Sequence, residues 1–282
     1  MIEAHRPLLD RLLPDDDRAA LTVREGQFHL VVLGAQRVVC LARTEAAAAR
    51  LSARAATLRA LAEPRLGIAV PQPIELAGLD EDVAFLLLTR IPGEPLDDTM
   101  LTDPQSVEAI ASQCHSLLAA LTAAAADRRI RALLPAAAPH RWHDFARAVR
   151  TELYPLMADH GRDRAERELT ALRDLPARAD AVVHGDLGGE NLLWERDSGV
   201  PVLRGVVDWD GVCLGDPAED LAALGAGYGA DMLRRILAHL PPEPGLAERI
   251  MAIQGTFALQ QALDGHRDGD DAERADGLSG YR

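Results

Sequence analysis

The amino-acid sequence predicts an α+β protein of two lobes, a small sheet-rich N-terminal lobe and a larger, mostly helical C-terminal lobe. Three observations carry that reading. Strand-like apolar runs crowd residues 27–41 and 83–89, the breaker Ile91-Pro92-Gly93 follows them, and beyond it apolar residues recur at helical spacing. The hinge is placed near residues 88–95, which gives an N-terminal lobe of residues 1–91 and a C-terminal lobe of residues 92–282.

In chain order, residues 27–33 and 37–41 read as two strands separated by the turn Gly34-Ala35-Gln36. A helix over residues 44–62 follows, with Leu51, Ala55, Leu58 and Ala62 on one face, and Pro71 and Pro73 close the segment. Residues 83–89 form a third, almost wholly apolar strand. Past the hinge, Asp103-Pro104 starts a helix, because proline suits a first turn, and Val107, Ile110, Ala111, Cys114, Leu117, Leu118 and Leu121 form its apolar stripe. Trp142, Phe145, Val149, Leu153 and Leu156 mark another. Strands return at residues 181–183, 192–194 and 202–207, the last two flanking the turn Asp197-Ser198-Gly199. From Asp216 the pattern is helical to about Leu263, and the acidic stretch 264–276 reads as a mobile end.

Composition narrows the function classes. A net charge of -14 repels nucleic acid and anionic membrane and draws cationic partners toward any acidic cleft. Cys40, Cys114 and Cys213 are widely spaced and odd in number, which argues against a disulfide framework or a zinc site and for reduced thiols in a cytoplasmic protein. The first residues lack the basic-then-apolar order of an export signal, and no apolar run reaches the length of a membrane span.

The chain's only asparagine, Asn191, ends the segment His184-Gly185-Asp186-Leu187-Gly188-Gly189-Glu190-Asn191, and Asp208 follows in Val206-Val207-Asp208-Trp209-Asp210. A base aspartate, a carboxamide five residues on and a second aspartate after a hairpin give the order and spacing of a kinase-type phosphoryl-transfer site. Asp186 can accept the proton of an acceptor hydroxyl while orienting it. Asn191 offers a neutral oxygen and Asp208 an anionic one to Mg²⁺, which prefers oxygen ligands and keeps its waters. His184 is expected to hold the loop by hydrogen bonding.

These residues resemble the aminoglycoside phosphotransferase superfamily, which has the protein-kinase-like fold, and its His-Gly-Asp-x-x-x-x-Asn loop matches His184 to Asn191. Glu25-Gly26-Gln27-Phe28-His29, Gly215-Asp216-Pro217-Ala218-Glu219-Asp220-Leu221, Gly255-Thr256-Phe257-Ala258-Leu259-Gln260-Gln261 and Asp276-Gly277-Leu278-Ser279-Gly280-Tyr281-Arg282 are similar to its members that act on the cyclic tuberactinomycin peptides viomycin and capreomycin. The resemblance implies ATP or GTP as donor, Mg²⁺, and a small cationic peptide antibiotic as acceptor. Asp186 becomes the base, with Asn191 and Asp208 as metal ligands. Thr89 and Ile91 meet the adenine ring through their backbone, while Asp216 and Asp220 brace the catalytic loop from a helix start. Asp210 and Glu219 either face the substrate or serve as helix-capping or solvated carboxylates.

The N-terminal lobe departs from the family. Kinases grip the α- and β-phosphates with a lysine on the third strand, paired to a glutamate on the next helix. This chain has no lysine, and Arg54 stands where that glutamate would align. Arg43 or Arg54 is left to supply the positive charge. Gly26 could let a turn cover the phosphates, or simply form a turn or bulge. Two alternatives stay open, the same chemistry on an aminoglycoside or macrolide, and a non-catalytic protein that sequesters the antibiotic.

Overall fold

The computed structural model describes residues 5–26, 29–62, 66–79, 82–97 and 99–282. Its contacts divide the chain into two compact units, residues 1–134 with 190–211, and residues 135–189 with 212–282.

The first unit is built on a five-stranded antiparallel sheet. Its strands are β1 (Thr22–Glu25), β2 (His29–Leu33), β3 (Arg37–Ala42), β4 (Pro73–Ala77) and β5 (Phe85–Thr89), in the order β1-β2-β3-β5-β4. Alternation along β2 buries Leu30 and Val32 with Val39 and Leu41 of β3, and Leu9 and Leu12 from the opening helix α1 (Arg6–Leu12), with Leu13 just after it, close that core. Helix α2 (Glu45–Ala62) begins where the Thr44 hydroxyl accepts from the amide of Ala47, and it buries Leu51, Ala55, Leu58 and Leu61. Ala62, expected on that face, stands at its margin.

Helix α3 (Pro104–Ala124) is capped by Asp103, which accepts from the amide of Ser106 at 2.8 Å, and it buries the whole expected stripe. It belongs to this first unit, as do α4 (Arg128–Leu133) and the hairpin of β7 (Leu192–Asp197) and β8 (Val200–Val206). The Gln113 side chain on α3 donates to the carbonyl of Pro201 and accepts from the amide of Leu203, tying helix to hairpin. The first unit is therefore wider than the lobe of residues 1–91. The strand expected from residue 27 appears from His29; Gln27 and Phe28 lie outside the described residues. Strands β1 and β4 and helix α1 carry no strong pattern in the sequence, and β4 starts at Pro73, where an edge strand tolerates the missing donor.

In the second unit α5 (Arg141–Ala148) runs into one π turn at Val149–Leu153 and a 3₁₀ turn at Tyr154–Leu156. The wider turn rotates the expected stripe off register, so Val149 and Leu153 are buried while Leu156 is 42% exposed. Then come α6 (Asp159–Arg173), the short antiparallel pair β6 (Ala181–Val183) and β9 (Cys213–Gly215), and helices α7 (Ala218–Tyr228), α8 (Ala230–His239), α9 (Leu246–Gln254), α10 (Phe257–Asp268) and α11 (Asp271–Gly277). The acidic end is not loose. Gly269, at φ 73°, stops α10, and Asp270 caps α11 by accepting from the amides of Ala272 and Glu273. Leu278 and Tyr281 then sink into the core with Leu259 and Leu263, so burial of the residues beyond the acidic stretch overrides its polar composition. Among the described residues no helix is long and apolar enough to cross a membrane.

Candidate active site

The hairpin of the first unit carries two of the candidate residues, Asn191 and Asp208. Its register pairs Leu192 with Val206, and the amide of Val207 donates to the carbonyl of Asn191 at 3.0 Å, so Asn191 and Asp208 emerge at the same end of the ladder. Trp209 anchors the exit, buried, with its indole N–H on the carbonyl of Val206 at 2.9 Å. Between them Asp208 is held at φ 62°, a left-handed conformation uncommon for a residue with a side chain. That turn leaves the carboxylate exposed while Asn191 is buried. Backbone strain of this kind persists where surrounding contacts enforce it and is concentrated at functional positions. One carboxylate and one carboxamide are hard oxygen donors suited to Mg²⁺, whose remaining ligands are waters and phosphate oxygens. Among the described residues no three His, Cys, Asp or Glu side chains gather into a metal group, so a softer or fully protein-ligated ion has no such cluster here.

The loop bearing Asp186 lies in the second unit. Strand β6 delivers His184, wholly buried, whose Nδ1 accepts from the amide of Asp186 at 3.3 Å. Gly185 turns at φ 88°, which glycine adopts without strain, and exposes Asp186 to solvent. Asp220 on α7 closes the loop from below by accepting from the amides of His184 at 2.9 Å and Gly185 at 3.1 Å. Gly189 meets the Tyr228 ring so closely that a Cβ there would stand 2.9 Å from it.

Asp216 caps α7 by accepting from the amide of Ala218 at 3.0 Å, and it forms a buried ion pair with Arg249, Oδ2 to Nε 2.8 Å, that lacks hydrogen-bond alignment. Glu219 is engaged by Arg141 through both carboxylate oxygens, at 2.5 and 2.6 Å, and Arg141 in turn lies 4.4 Å over the Trp142 ring. Glu219 is thus a half-buried carboxylate held in an ion pair, and Arg141 and Arg249 are partners that the sequence did not single out. Neither has a local motif, because each pairs with a carboxylate from another helix or its cap.

Burial pushes the Asp220 carboxyl up to about 7, opposed by the two backbone donors and helped by the negative charges of Glu219 and Asp186. A carboxyl whose folded-state value is raised contributes stability that is fully present below the ordinary 3.8 and is lost as pH rises toward about 7. Asp220→Asn is therefore expected to lower stability by roughly 1–3 kcal/mol, since an amide N–H₂ then faces a backbone N–H. It should also remove the decline of melting temperature across that pH window. Calorimetric melts of both proteins over the window check this, and parallel pH curves would contradict it.

In the first unit, Thr89 is fastened at the end of β5, its amide donating to the carbonyl of Gln72 and its hydroxyl accepting from the Gln72 amide. Ile91 is buried, with its side chain against Gly205. Arg43 is exposed and donates to the carbonyl of Gly26 at 2.7 Å. Arg54, on α2, pairs with Asp210, Nε to Oδ1 2.7 Å, which accounts for the Asp210 carboxylate within this unit.

A family model described as "Phosphotransferase enzyme family" matches residues 24–255. The chain is 58% identical over 285 aligned positions, covering 100% of it and 99% of the relative, to the viomycin phosphotransferase of Streptomyces vinaceus. Among solved structures it is similar to a complex of an aminoglycoside phosphotransferase with GDP and kanamycin (TM-score 0.81, 20% identity, 98% of this chain and 96% of that chain). It is also similar to a macrolide 2'-phosphotransferase from Brachybacterium faecium (TM-score 0.71, 22% identity, 97% and 98% of the two chains). The fold is accordingly the kinase-like one of a sheet-rich N-terminal and a helical C-terminal region. A family match over most of the length, joined to a hairpin that presents an amide and a strained carboxylate together, leads to one conclusion: the chain belongs to the phosphotransferase enzyme family.

Proposed function

We propose that this phosphotransferase moves the γ-phosphoryl group of ATP, with Mg²⁺, to a hydroxyl of a cationic tuberactinomycin peptide, viomycin or capreomycin, and so inactivates the antibiotic in the cytoplasm. The observation that carries this reading is 58% identity along the whole length to a viomycin phosphotransferase, with Asp186, Asn191 and Asp208 all present.

Asp186 orients the acceptor hydroxyl and takes its proton. Asn191 and Asp208 would hold Mg²⁺, which when bound neutralises charge on the phosphates. The Asp208 carboxylate is exposed and so open to a cation. We assign the nucleotide to residues 1–91, its adenine against the backbone of Thr89 and Ile91, and the drug to residues 92–282. The net charge of -14 suits a polycationic acceptor. A transferred phosphate adds about two negative charges to a drug that binds RNA through its cations, which weakens that binding.

The test incubates the protein with ATP, Mg²⁺ and a panel of viomycin, capreomycin, kanamycin and a macrolide, and reads each drug by mass spectrometry. One added phosphate on viomycin or capreomycin is expected. Phosphate on kanamycin or the macrolide alone would overturn the acceptor assignment.

A further inference from the structure

We propose that the cation gripping the nucleotide's phosphates is Arg54, on α2, and that Asp210 is its positioning residue, so that a helix arginine and a carboxylate from the turn after β8 stand in for the strand-lysine and helix-glutamate pair of kinases. The inference rests on the reading that this site binds ATP, and it concerns the one part of kinase chemistry for which the sequence lacks the usual residue, since it contains no lysine.

Four observations favour Arg54. The third strand, which would carry a lysine, presents buried Cys40 toward α2 instead. Burial raises the Cys40 thiol, and the Arg54 guanidinium beside it pulls the other way, so the helix cation reaches the place a strand lysine would fill. Second, the Arg54 side chain is only 17% exposed, and among the described residues its buried Nη1 makes no hydrogen bond. A desolvated guanidinium with unused N–H groups is a fork awaiting an anion. Third, the Nε contact to Asp210 Oδ1 at 2.7 Å is an ion pair without hydrogen-bond alignment, so Asp210 fixes the position of the charge without occupying all its donors. Fourth, Asp210 stands two residues past Asp208, so the pair links α2 to the segment that presents the metal ligand. The half-buried His29 ring at the start of β2 lies in the field of the same three groups: burial first and then Arg54 lower its pKa, while Asp210 and Asp208 raise it. Arg43, the other candidate, already spends a donor on the carbonyl of Gly26 and is exposed.

An arginine paired with the Asp210 carboxylate is balanced as the lysine of a kinase is balanced by its glutamate. Asp210 therefore serves the nucleotide, although its position in the sequence also suggested the drug.

The test measures Mg-ATP binding by isothermal titration calorimetry alongside steady-state kinetics. Arg54→Gln is expected to weaken nucleotide binding roughly ten- to hundredfold, the scale of a hydrogen bond to a charged group. Asp210→Asn should raise KM for ATP with little change in KM for the drug. Cys40→Lys combined with Arg54→Glu rebuilds the usual pair and should recover nucleotide affinity lost in Arg54→Gln. Wild-type nucleotide affinity in a folded Arg54→Gln protein overturns the proposal, as does an Asp210→Asn protein whose KM rises for the drug alone. If the double variant does not fold, the two single variants decide the matter. Nucleotide binding that depends on Arg54 in a protein that phosphorylates no tuberactinomycin sinks the acceptor assignment and leaves this pair standing.

Discussion

Asp186→Asn is expected to lower kcat for drug phosphorylation by roughly 10²–10⁴-fold, the usual contribution of a positioned general base, while leaving Mg-ATP affinity and melting temperature close to those of the wild type. The separation follows from how the loop is built. Asp186 is exposed, and the turn that carries it has supports elsewhere. The loop is held by buried His184, by Gly185 at φ 88°, and by the two backbone N–H groups that Asp220 accepts. The isosteric amide keeps those contacts and removes only the proton acceptor. A protein that protected cells by sequestering the antibiotic would keep its protective effect in this variant. Stopped-flow or steady-state kinetics, paired with a resistance assay, therefore answer both questions, and turnover retained within about tenfold would remove Asp186 from the role of base.

Much of this site was legible because its signals are local. A lone asparagine at a fixed offset from His-Gly-Asp, a turn, and an aspartate after a strand are chain-order features, and the hairpin register then places Asn191 and Asp208 at one end of a ladder. The stripe of α3 was legible for the same reason, since its period and its Asp103-Pro104 start are both written within one element. What could not be read depends on partners distant in sequence. The sequence marked Arg54 and Asp210 separately but held no sign that the two pair. Nothing near Glu219 announces Arg141, and the acidic residues 264–276 look solvated until Leu278 and Tyr281 are seen to be buried beyond them. The π turn at Val149–Leu153 likewise shifts a face that simple periodicity keeps straight.

Arg249→Met is expected to destabilise the protein by about 3–5 kcal/mol, the typical effect of removing one partner from a buried ion pair, which corresponds to a fall of roughly 10 °C in melting temperature. Both side chains of the Arg249–Asp216 pair are 6% exposed, and Arg249 reaches Glu243 as well, Nη2 to Oε1 2.7 Å. Methionine fills the volume but leaves Asp216 as a desolvated charge with only its cap to α7 to satisfy it. Glu243 keeps a second partner in Arg178, so the deficit concentrates on Asp216. A variant that joins Arg249→Met to Asp216→Asn should consequently recover part of the loss, because the amide still accepts from Ala218 and no buried charge remains. The alternative, that the pair is a dispensable surface contact, predicts a loss under about 1 kcal/mol and no recovery in the double variant. Denaturant titration of the three proteins distinguishes the two. Since α7 also carries Asp220, which holds the backbone of His184 and Gly185, the same measurement reports how firmly the fold supports the loop from which Asp186 projects.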